Sequence, residues 1–311
     1  MDALAAERFE ASRDRLASLA YRLLGSAADA EDAVQDAFLR WQAADHDRIR
    51  VPEAWLTKIV TNVCLDRLRS AQMRHERAAG AWLPEPLLAG DPMLGPADTA
   101  EQRESVSLAV LTLMERLSPV ERAVYVLREA FSYNHAEIAD ILGITESASQ
   151  QHLHRARRRV ATGRPRDAVD DAGARRIAEA FLDAAASGRT ERLIALLTED
   201  ATAISDAAGL AKRPMFFPSP QRVAAAVRAV LKPTESKRRI VGGSPALYVG
   251  VVNNSPALLG VIGDQVVGVL VLETHQGKIA FAYGLASPGR LERLTAMWPK
   301  HEHDAPVIES W

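Results

Sequence analysis

The sequence predicts a multidomain fold in which two all-α domains precede an α+β domain. Three observations indicate it. Apolar residues recur at intervals of three and four over residues 8–78 and again from about Glu101 to Val160. Two segments rich in Pro, Gly and charged residues interrupt the chain, and alternating Val-rich segments appear only toward its end. The 311 residues, 48% of them hydrophobic, are enough for packed cores in each part.

Composition excludes several classes of protein. One cysteine, Cys64, rules out an internal disulfide framework and a multi-cysteine zinc site. The start MDALAAERFE has no apolar signal core, and no apolar run reaches the roughly 18 residues that span a bilayer. We therefore expect a cytoplasmic protein that has no membrane contact, no metal and no cofactor. The net charge of −2 argues against a generally basic nucleic-acid coat, although two arginine clusters suggest two local phosphate contacts.

The first motif is SAADAEDAVQDAFLRW, residues 26–41. Its helical spacing puts Val34, Ala37, Phe38 and Trp41 on one face, and Ser26 can cap its start. The opposite face carries acidic and polar residues, namely Asp29, Glu31, Asp32, Gln35 and Asp36. Taken alone, such a helix is more often a plain surface helix, because acidic residues in a first turn complement the helix dipole.

The second motif is PEAWLTKIVTNVCLDRLRSAQ, residues 52–72. Its apolar stripe, which includes Trp55, Leu56 and Val60, predicts a helix with one buried face, and Cys64 lies beside this stripe as a core thiol. The polar face carries Lys58, Asn62, Asp66, Arg67 and Arg69.

The segment that follows, residues 80–98, holds four prolines and three glycines and is predicted to be a linker. Helical periodicity then leads to HAEIADILGITESASQQHLHRARRRV, residues 135–160. Here a short apolar helix, a turn at Gly143 and a second helix capped by Thr145 form a candidate helix-turn-helix. The second helix turns polar residues outward at its start and arginines at its end, the order that suits bases first and phosphates last. The outward residues are Ser147, Gln150, Gln151, His154, Arg155 and Arg158. A solvated helical hairpin with a basic end has the same pattern.

Together and in this order, these motifs resemble bacterial RNA polymerase sigma factors of the extracytoplasmic-function type, over roughly residues 8–160. The resemblance implies that the first helix docks on core RNA polymerase, at its beta-prime clamp, through Asp29, Glu31, Asp32, Gln35, Asp36 and Leu39. It implies that Lys58, Asn62, Asp66, Arg67 and Arg69 contact the minus-ten promoter DNA. The helix-turn-helix residues would contact the minus-thirty-five box, with the beta flap as a second polymerase contact.

The third part begins with two helices from Ala174 and continues with the Val-rich strands. Together with AWLPEPL, residues 81–87, it resembles the subgroup of these sigma factors that is fused to a SnoaL-like domain of the NTF2-like cone fold. That resemblance implies a built-in regulator, in which Trp82, Pro84, Asp206 and Pro288 take part, and a small-molecule ligand is a further candidate partner. Two motifs depart from the subgroup: ISDAAGLAK lacks its glycine-rich run, and SPGRL stands near the C-terminus where Asn-Pro-Asp-Lys-Leu is usual.

The predicted domains are residues 1–78 for sigma region 2, 101–162 for sigma region 4 and 173–311 for the SnoaL-like domain. Linkers at 79–100 and 163–172 join them. Two alternatives remain open from the residues: a metabolite-sensing regulator that binds an operator alone, and a SnoaL-like cyclase or isomerase tethered to a DNA-binding segment. For catalysis Asp183, Asp206 and His275 are available, but they form no recognisable pair, so we predict that the chain is not an enzyme. We expect the polar stretch HEHD, residues 301–304, to be disordered.

Overall fold

The computed structural model describes residues 3–73, 83–95, 99–160, 171–211 and 213–311. The chain forms two compact units: residues 1–85 together with 91–163, and residues 86–90 together with 164–311. Arg74 and Arg77 of the first arginine cluster, Trp82, and Lys212 at the end of ISDAAGLAK lie outside the described residues, as do parts of both predicted linkers.

The described part of the first unit is helical. Its helices are α1 (Ala3–Leu24), α2 (Ala27–Gln42), α3 (Pro52–Met73), α4 (Ala100–Glu104), α5 (Leu108–Met114), α6 (Pro119–Glu129), α7 (His135–Leu142) and α8 (Glu146–Val160). Short 3-10 turns occur at His46–Arg48 and Pro92–Leu94. Helices α1, α2 and α3 pack on one another because each has one apolar face at helical spacing, and Trp41 and Leu56 are fully buried among them.

A buried arginine holds the segment before α5 to helix α1. Arg22 donates to the Leu94 carbonyl at 2.8 Å and to Ser105 Oγ at 2.9 Å, and its guanidinium lies over the Phe131 ring at 5.5 Å. Burial lowers the pKa of Arg22 to about 10, so the side chain stays cationic at neutral pH. The predicted linker is therefore fastened by side-chain hydrogen bonds where it approaches α4.

The second unit contains a six-stranded sheet and five helices in its described part. The helices are α9 (Asp171–Ala186), α10 (Thr190–Leu196), α11 (Pro220–Leu231), α12 (Glu235–Val241) and α13 (Pro288–Met297). The strands are β1 (Leu197–Ser205), β2 (Met215–Phe217), β3 (Ala246–Val252), β4 (Ser255–Ile262), β5 (Gln265–His275) and β6 (Lys278–Leu285).

The sheet order is β2-β1-β6-β5-β4-β3. Strands β3 to β6, which contain the Val-rich segments, form an antiparallel meander, whereas β1 pairs with β6 in parallel, which the sequence did not predict. The helices α9, α10 and α11 fill one face of the sheet with an apolar core that includes Phe181, Leu193 and Val227. The β4–β5 pairing has an extra residue, Val267, in β5, and the β5–β6 pairing has an extra residue, Ala280, in β6; such bulges bend a sheet.

The expectation of a disordered end at residues 301–304 is wrong. His303 stacks on Trp298 with ring centroids 4.4 Å apart, and Tyr248 lies at the edge of both rings. Beyond it, Leu247 N donates to Ile308 O at 2.8 Å, so the C-terminal residues pair with the outer edge of β3. A strand edge that is open to water presents unpaired amides and carbonyls, which favours pairing with another segment of the chain. The polar composition of residues 301–304 gave no sign of this pairing.

Candidate functional site

The outward face of α2 is acidic and accessible. We call it the α2 face and define it by Asp29, Glu31, Asp32, Gln35, Asp36 and Leu39. Ala30, Val34 and Trp41 turn inward, so helical periodicity sends the acidic residues outward. The Asp32 side chain is 68% exposed, and Leu39 is 55% exposed between polar neighbours. An exposed leucine at the end of an acidic helix face suits a cationic partner that also has an apolar spot.

The N-terminus of α2 is capped twice. Ser26 Oγ accepts a hydrogen bond from Asp29 N at 3.2 Å, as the sequence predicts. Glu85, from the predicted linker, accepts hydrogen bonds from Ser26 Oγ and from Ala27 N, each at 2.8 Å. Burial raises the pKa of the Glu85 carboxyl and outweighs the lowering effect of these bonds. The WLPEP run therefore contributes a cap to the helix that carries the α2 face.

Arg67 of α3 lies against the α2 face. Its Nη2 is 2.8 Å from Asp36 Oδ2, and its Nη1 is 3.8 Å from Asp32 Oδ2 and 4.0 Å from Asp29 Oδ1. Nη1 also donates to the Asp29 carbonyl at 3.2 Å. Burial alone would lower the pKa of this guanidinium, but the hydrogen bond and the three carboxylates raise it. A residue that the resemblance assigns to DNA is here an ion-pair partner of the residues that it assigns to polymerase.

The other polar residues of α3 form a separate stripe. Lys58, Asn62 and Asp66 follow one another at four-residue intervals, and Arg69 pairs with Asp66 at 3.3 Å. Lys58, Asp66 and Arg69 are exposed and Asn62 is half-buried. Lys58 Nζ donates to the Asp140 carbonyl of α7 at 2.8 Å, so this cation is engaged within the first unit.

Helices α7 and α8 form the predicted helix-turn-helix. Gly143 ends α7 in the left-handed conformation with φ 65°, and Thr145 Oγ1 accepts from Ala148 N at 3.1 Å. All six residues predicted to read the minus-thirty-five box, Ser147, Gln150, Gln151, His154, Arg155 and Arg158, are exposed. Buried Ser149 bonds His135 Nδ1 at 2.9 Å and ties the two helices together.

Glu121 of α6 fixes the position of α8. Its carboxylate completes a capping box with Ser118, and it is bonded by Arg155 Nε at 3.0 Å and by Arg159 Nη1 at 2.5 Å. The Glu121 side chain is only 5% exposed. Burial would raise the pKa of this carboxyl, but the Ser118 bonds and the two arginines lower it. Arg155 is therefore exposed and also structural, a role that the outward spacing did not reveal.

An aromatic corner between α6 and α7 is the second feature that the sequence did not predict. Tyr133 OH accepts from Arg15 Nη2 at 2.5 Å and lies 3.2 Å from Thr57 Oγ1. Arg15 also lies over the Phe131 ring at 5.5 Å. The adjacent residue Ser132 has a φ of 57°, which turns the chain sharply between the two rings. The sequence signal for this corner was the run Phe131-Ser132-Tyr133, because a helix-turn-helix does not require two aromatic residues before its first helix.

Of the four regulatory candidates, Trp82 lies outside the described residues, and Pro84 is buried. In the second unit, Asp206 Oδ1 accepts from Ala208 N and Ala286 N, at 3.0 and 2.9 Å, and Oδ2 accepts from Ser287 N at 2.9 Å. Pro288 is the first residue of α13. The two motifs that depart from the subgroup pattern are thus joined through one carboxylate.

Linker residues 87–89 belong to the second unit and pair with its sheet. Leu87 N donates to Asn253 Oδ1 at 2.8 Å, Asn253 N donates to Leu87 O at 2.9 Å, and Ala89 N donates to Val251 O at 3.0 Å. Asn253 is fully buried with a φ of 49°, a conformation that Asn tolerates better than most residues. Residues 87–89 therefore extend the sheet edge at the β3–β4 turn.

The catalytic candidates of the second unit do not form a paired site where the structure describes them. Asp183 is exposed on α9, and the carboxylate of Asp206 is occupied by backbone amides. Within residues 3–73, 83–95, 99–160, 171–211 and 213–311, no three His, Cys, Asp or Glu side chains are grouped to hold a metal ion. Among these same residues, no helix is long and apolar enough to cross a membrane.

Comparison with known proteins identifies relatives of this chain. Residues 8–74 match the family Sigma-70 region 2, and residues 107–160 match Sigma-70, region 4. The chain is 34% identical over 299 residues to the ECF RNA polymerase sigma factor SigJ of Mycobacterium tuberculosis, covering 91% of each protein. It is 31% identical to the probable ECF RNA polymerase sigma factor SigI of the same species, covering 93% of this chain and 95% of the relative. The crystal structure of M. tuberculosis SigJ matches 92% of this chain and 98% of its own, with 29% identity and a TM-score of 0.69.

Proposed function

Because this chain belongs to the extracytoplasmic-function sigma factors of RNA polymerase, it binds core polymerase and directs initiation at promoters, and we propose that the α2 face is its docking surface. The observation that carries this proposal is the exposed acidic surface around Leu39. A cluster of negative charges speeds association with a basic partner, and the exposed Leu39 at the end of the face adds an apolar anchor. The beta-prime clamp is the polymerase element that we assign to this surface, and the beta flap is the one that we assign to α6–α8.

For the minus-ten DNA we propose the α3 stripe. Asn62 contacts an extruded base, while Lys58 and Arg69 neutralise the strand backbone, and Asp66 orients Arg69. Lys58 has to leave the Asp140 carbonyl to do so. Arg67 is a phosphate contact only after it leaves the α2 face.

For the minus-thirty-five box we propose the exposed face of α8. Ser147, Gln150, Gln151 and His154 lie at the start of the helix and contact base edges, and Arg158 contacts phosphate. Arg155 contributes by holding α8 against Glu121. This division leaves the base-reading residues within the first nine residues of α8, the N-terminal part with which a recognition helix contacts base edges.

We further propose that the SnoaL-like domain regulates initiation rather than catalysing a reaction. The Asp206 carboxylate accepts three backbone hydrogen bonds, so it is poorly disposed to act as a proton shuttle. Asp206 and Pro288 would set the start of α13, and Trp82 and Pro84 would set the course of the linker. A small molecule bound by this domain would act through the same elements.

Run-off transcription with purified core polymerase and a library of promoter sequences tests the docking proposal. Asp32→Arg in the full chain should abolish competition for core and reduce transcripts at least tenfold, because it reverses the charge at the centre of the α2 face. Asp14→Arg, an exposed aspartate on α1, makes the same charge change away from this face and serves as the control. Normal competition for core by Asp32→Arg would refute the assignment.

A further inference from the structure

We propose that Arg67 is an exchangeable counter-ion of the α2 face, which it occupies in the free chain and vacates when core polymerase docks. The inference rests on the docking surface proposed above. It adds that docking is a competition between an internal cation and a cation of the polymerase. Arg67 therefore pairs with the α2 face in the free protein and contacts DNA only after core polymerase has docked.

Arg67 occupies the same carboxylates that a basic partner would bind. One guanidinium reaches three acidic side chains, with its closest contact at 2.8 Å to Asp36 and longer contacts to Asp32 and Asp29. The side chains of Asp36, Asp32 and Asp29 are 48%, 68% and 49% exposed, so a partner can reach each of them. While Arg67 remains, its positive charge opposes the approach of a second cation to these carboxylates, because like charges repel at such distances.

The exposure of the group favours exchange over a permanent lock. The Arg67 side chain is 30% exposed, and an ion pair that water reaches contributes little to the free energy of unfolding. Buried Arg122 is a contrast within the same unit: its side chain is 3% exposed, and Nη1 donates to the Leu23 carbonyl at 2.7 Å. Arg122 is enclosed by protein and cannot exchange its partners for water without local unfolding, whereas Arg67 already contacts water.

The location of Arg67 on α3 gives the exchange a consequence. The residue follows Asp66 directly and stands two positions before Arg69, within the helix assigned to the minus-ten strand. Once a polymerase cation has replaced it, the guanidinium adds a positive charge beside the α3 stripe. Core docking and single-strand binding would then reinforce each other through one side chain.

Association kinetics of the full chain with purified core polymerase, without DNA, test the exchange. Arg67→Met and Arg67→Gln should both associate about threefold or more faster at low salt, with a steeper salt dependence, because the face loses its internal cation. Arg67→Lys should stay near the wild-type rate. Arg13→Met removes a cation that pairs with Glu10 on α1 and is the matched control. Thermal unfolding of each variant establishes that the compared proteins are folded.

Unchanged or slower association of both neutral variants would overturn the exchange. If Asp32→Arg also binds core normally, the docking surface itself is wrong. If Asp32→Arg fails to bind while the Arg67 variants match the wild type, the exchange alone is wrong. Release to DNA has its own test with holoenzyme and a mixed-sequence single-stranded oligonucleotide. Arg67→Met should reduce the slope of log affinity against log salt by about one, and an unaltered slope would refute that step.

Discussion

Arg155 on α8 donates its Nε–H to Glu121 Oε1 of α6 at 3.0 Å, so an exposed arginine of the recognition helix is held by a nearly buried carboxylate. Arg159, one turn further along α8, bonds the other oxygen of the same carboxylate. A buried acceptor shared by two guanidiniums fixes both the distance and the rotation of α8 relative to α6. An exposed arginine of α8 can therefore affect promoter binding through its contact with α6, without contacting DNA.

Glu121→Gln should weaken binding of holoenzyme to the minus-thirty-five box severalfold, although Glu121 does not reach the surface of α8. The amide keeps the shape but loses the charge that both arginines need. Affinity measured across a promoter library checks this result. The double variant Glu121→Gln/Arg155→Ala should lose no more affinity than the weaker-binding of the two single variants. Additive losses of affinity would indicate that Arg155 contacts DNA independently. Arg158→Ala provides the comparison with a directly exposed arginine.

The same carboxylate predicts a loss of stability in acid. Although burial raises the pKa of Glu121, its hydrogen bonds and the arginines lower it below its ordinary value of about 4.3. A lowered acid pKa stabilises the folded state above the unfolded value, and this contribution disappears as the pH falls through the folded pKa. The melting temperature of wild type should therefore drop more than that of Glu121→Gln between about pH 5 and about pH 3. Parallel curves for the two proteins would contradict the assignment.

Sequence patterns predicted the parts of the fold that depend on local periodicity. The helices α2, α3, α7 and α8, the cap at Ser26 and the turn at Gly143 all follow from spacing within a few residues. The parallel pairing of β1 with β6 and the covered edge of β3 involve residues about 80 and 60 positions apart, which periodicity does not encode. The fold of two helical sigma regions and an α+β SnoaL-like domain is confirmed by the relatives.

For the candidate site, spacing showed which side chains face outward but not which partners they meet. Arg67 and Arg155 are both on outward faces, and each is bound to carboxylates on another helix. Long arginine side chains reach across to neighbouring helices, so helix phase alone does not determine their partners. The functional assignments of these residues remain predictions.

Asn253→Ala should destabilise the C-terminal domain by about 2 kcal/mol, because it leaves the Leu87 amide unpaired and removes a residue suited to a positive φ. Urea unfolding of the full chain, with a probe in the sheet, measures the effect. Asn254→Ala is a matched control: the neighbouring residue has a φ of 59° but is exposed. Equal losses for both variants would show that backbone conformation accounts for the effect and that the bond to Leu87 contributes little.

Asp206→Ala should loosen the start of α13, since three backbone amides lose their acceptor. Hydrogen exchange at Ala286 and Ser287 should rise at least tenfold, which corresponds to about 1.4 kcal/mol of local stability. Asp264→Ala, an exposed aspartate in the β4–β5 turn, should leave these amides protected. Unchanged protection in Asp206→Ala would mean that other contacts hold this turn. A change in run-off transcription with the same variant would link the turn to regulation.

The C-terminal residues should protect the edge of β3 from association with other chains. Trp311 Nε1 donates to the Leu231 carbonyl at 2.7 Å, and its backbone N donates to Pro245 O at 3.0 Å, so this residue fastens the end of the segment. Trp311→Ala should lower the free energy of unfolding by about 2 kcal/mol, as expected for a partly buried aromatic ring. Light scattering should also show concentration-dependent oligomers, because an uncovered strand edge offers unpaired amides and carbonyls.

Trp311→Phe keeps an aromatic ring but lacks the indole N–H, and it should remain monomeric under the same conditions. Oligomers in both variants would assign the protection to the indole hydrogen bond, and their absence from both would show that residues 307 and 308 cover the edge by themselves.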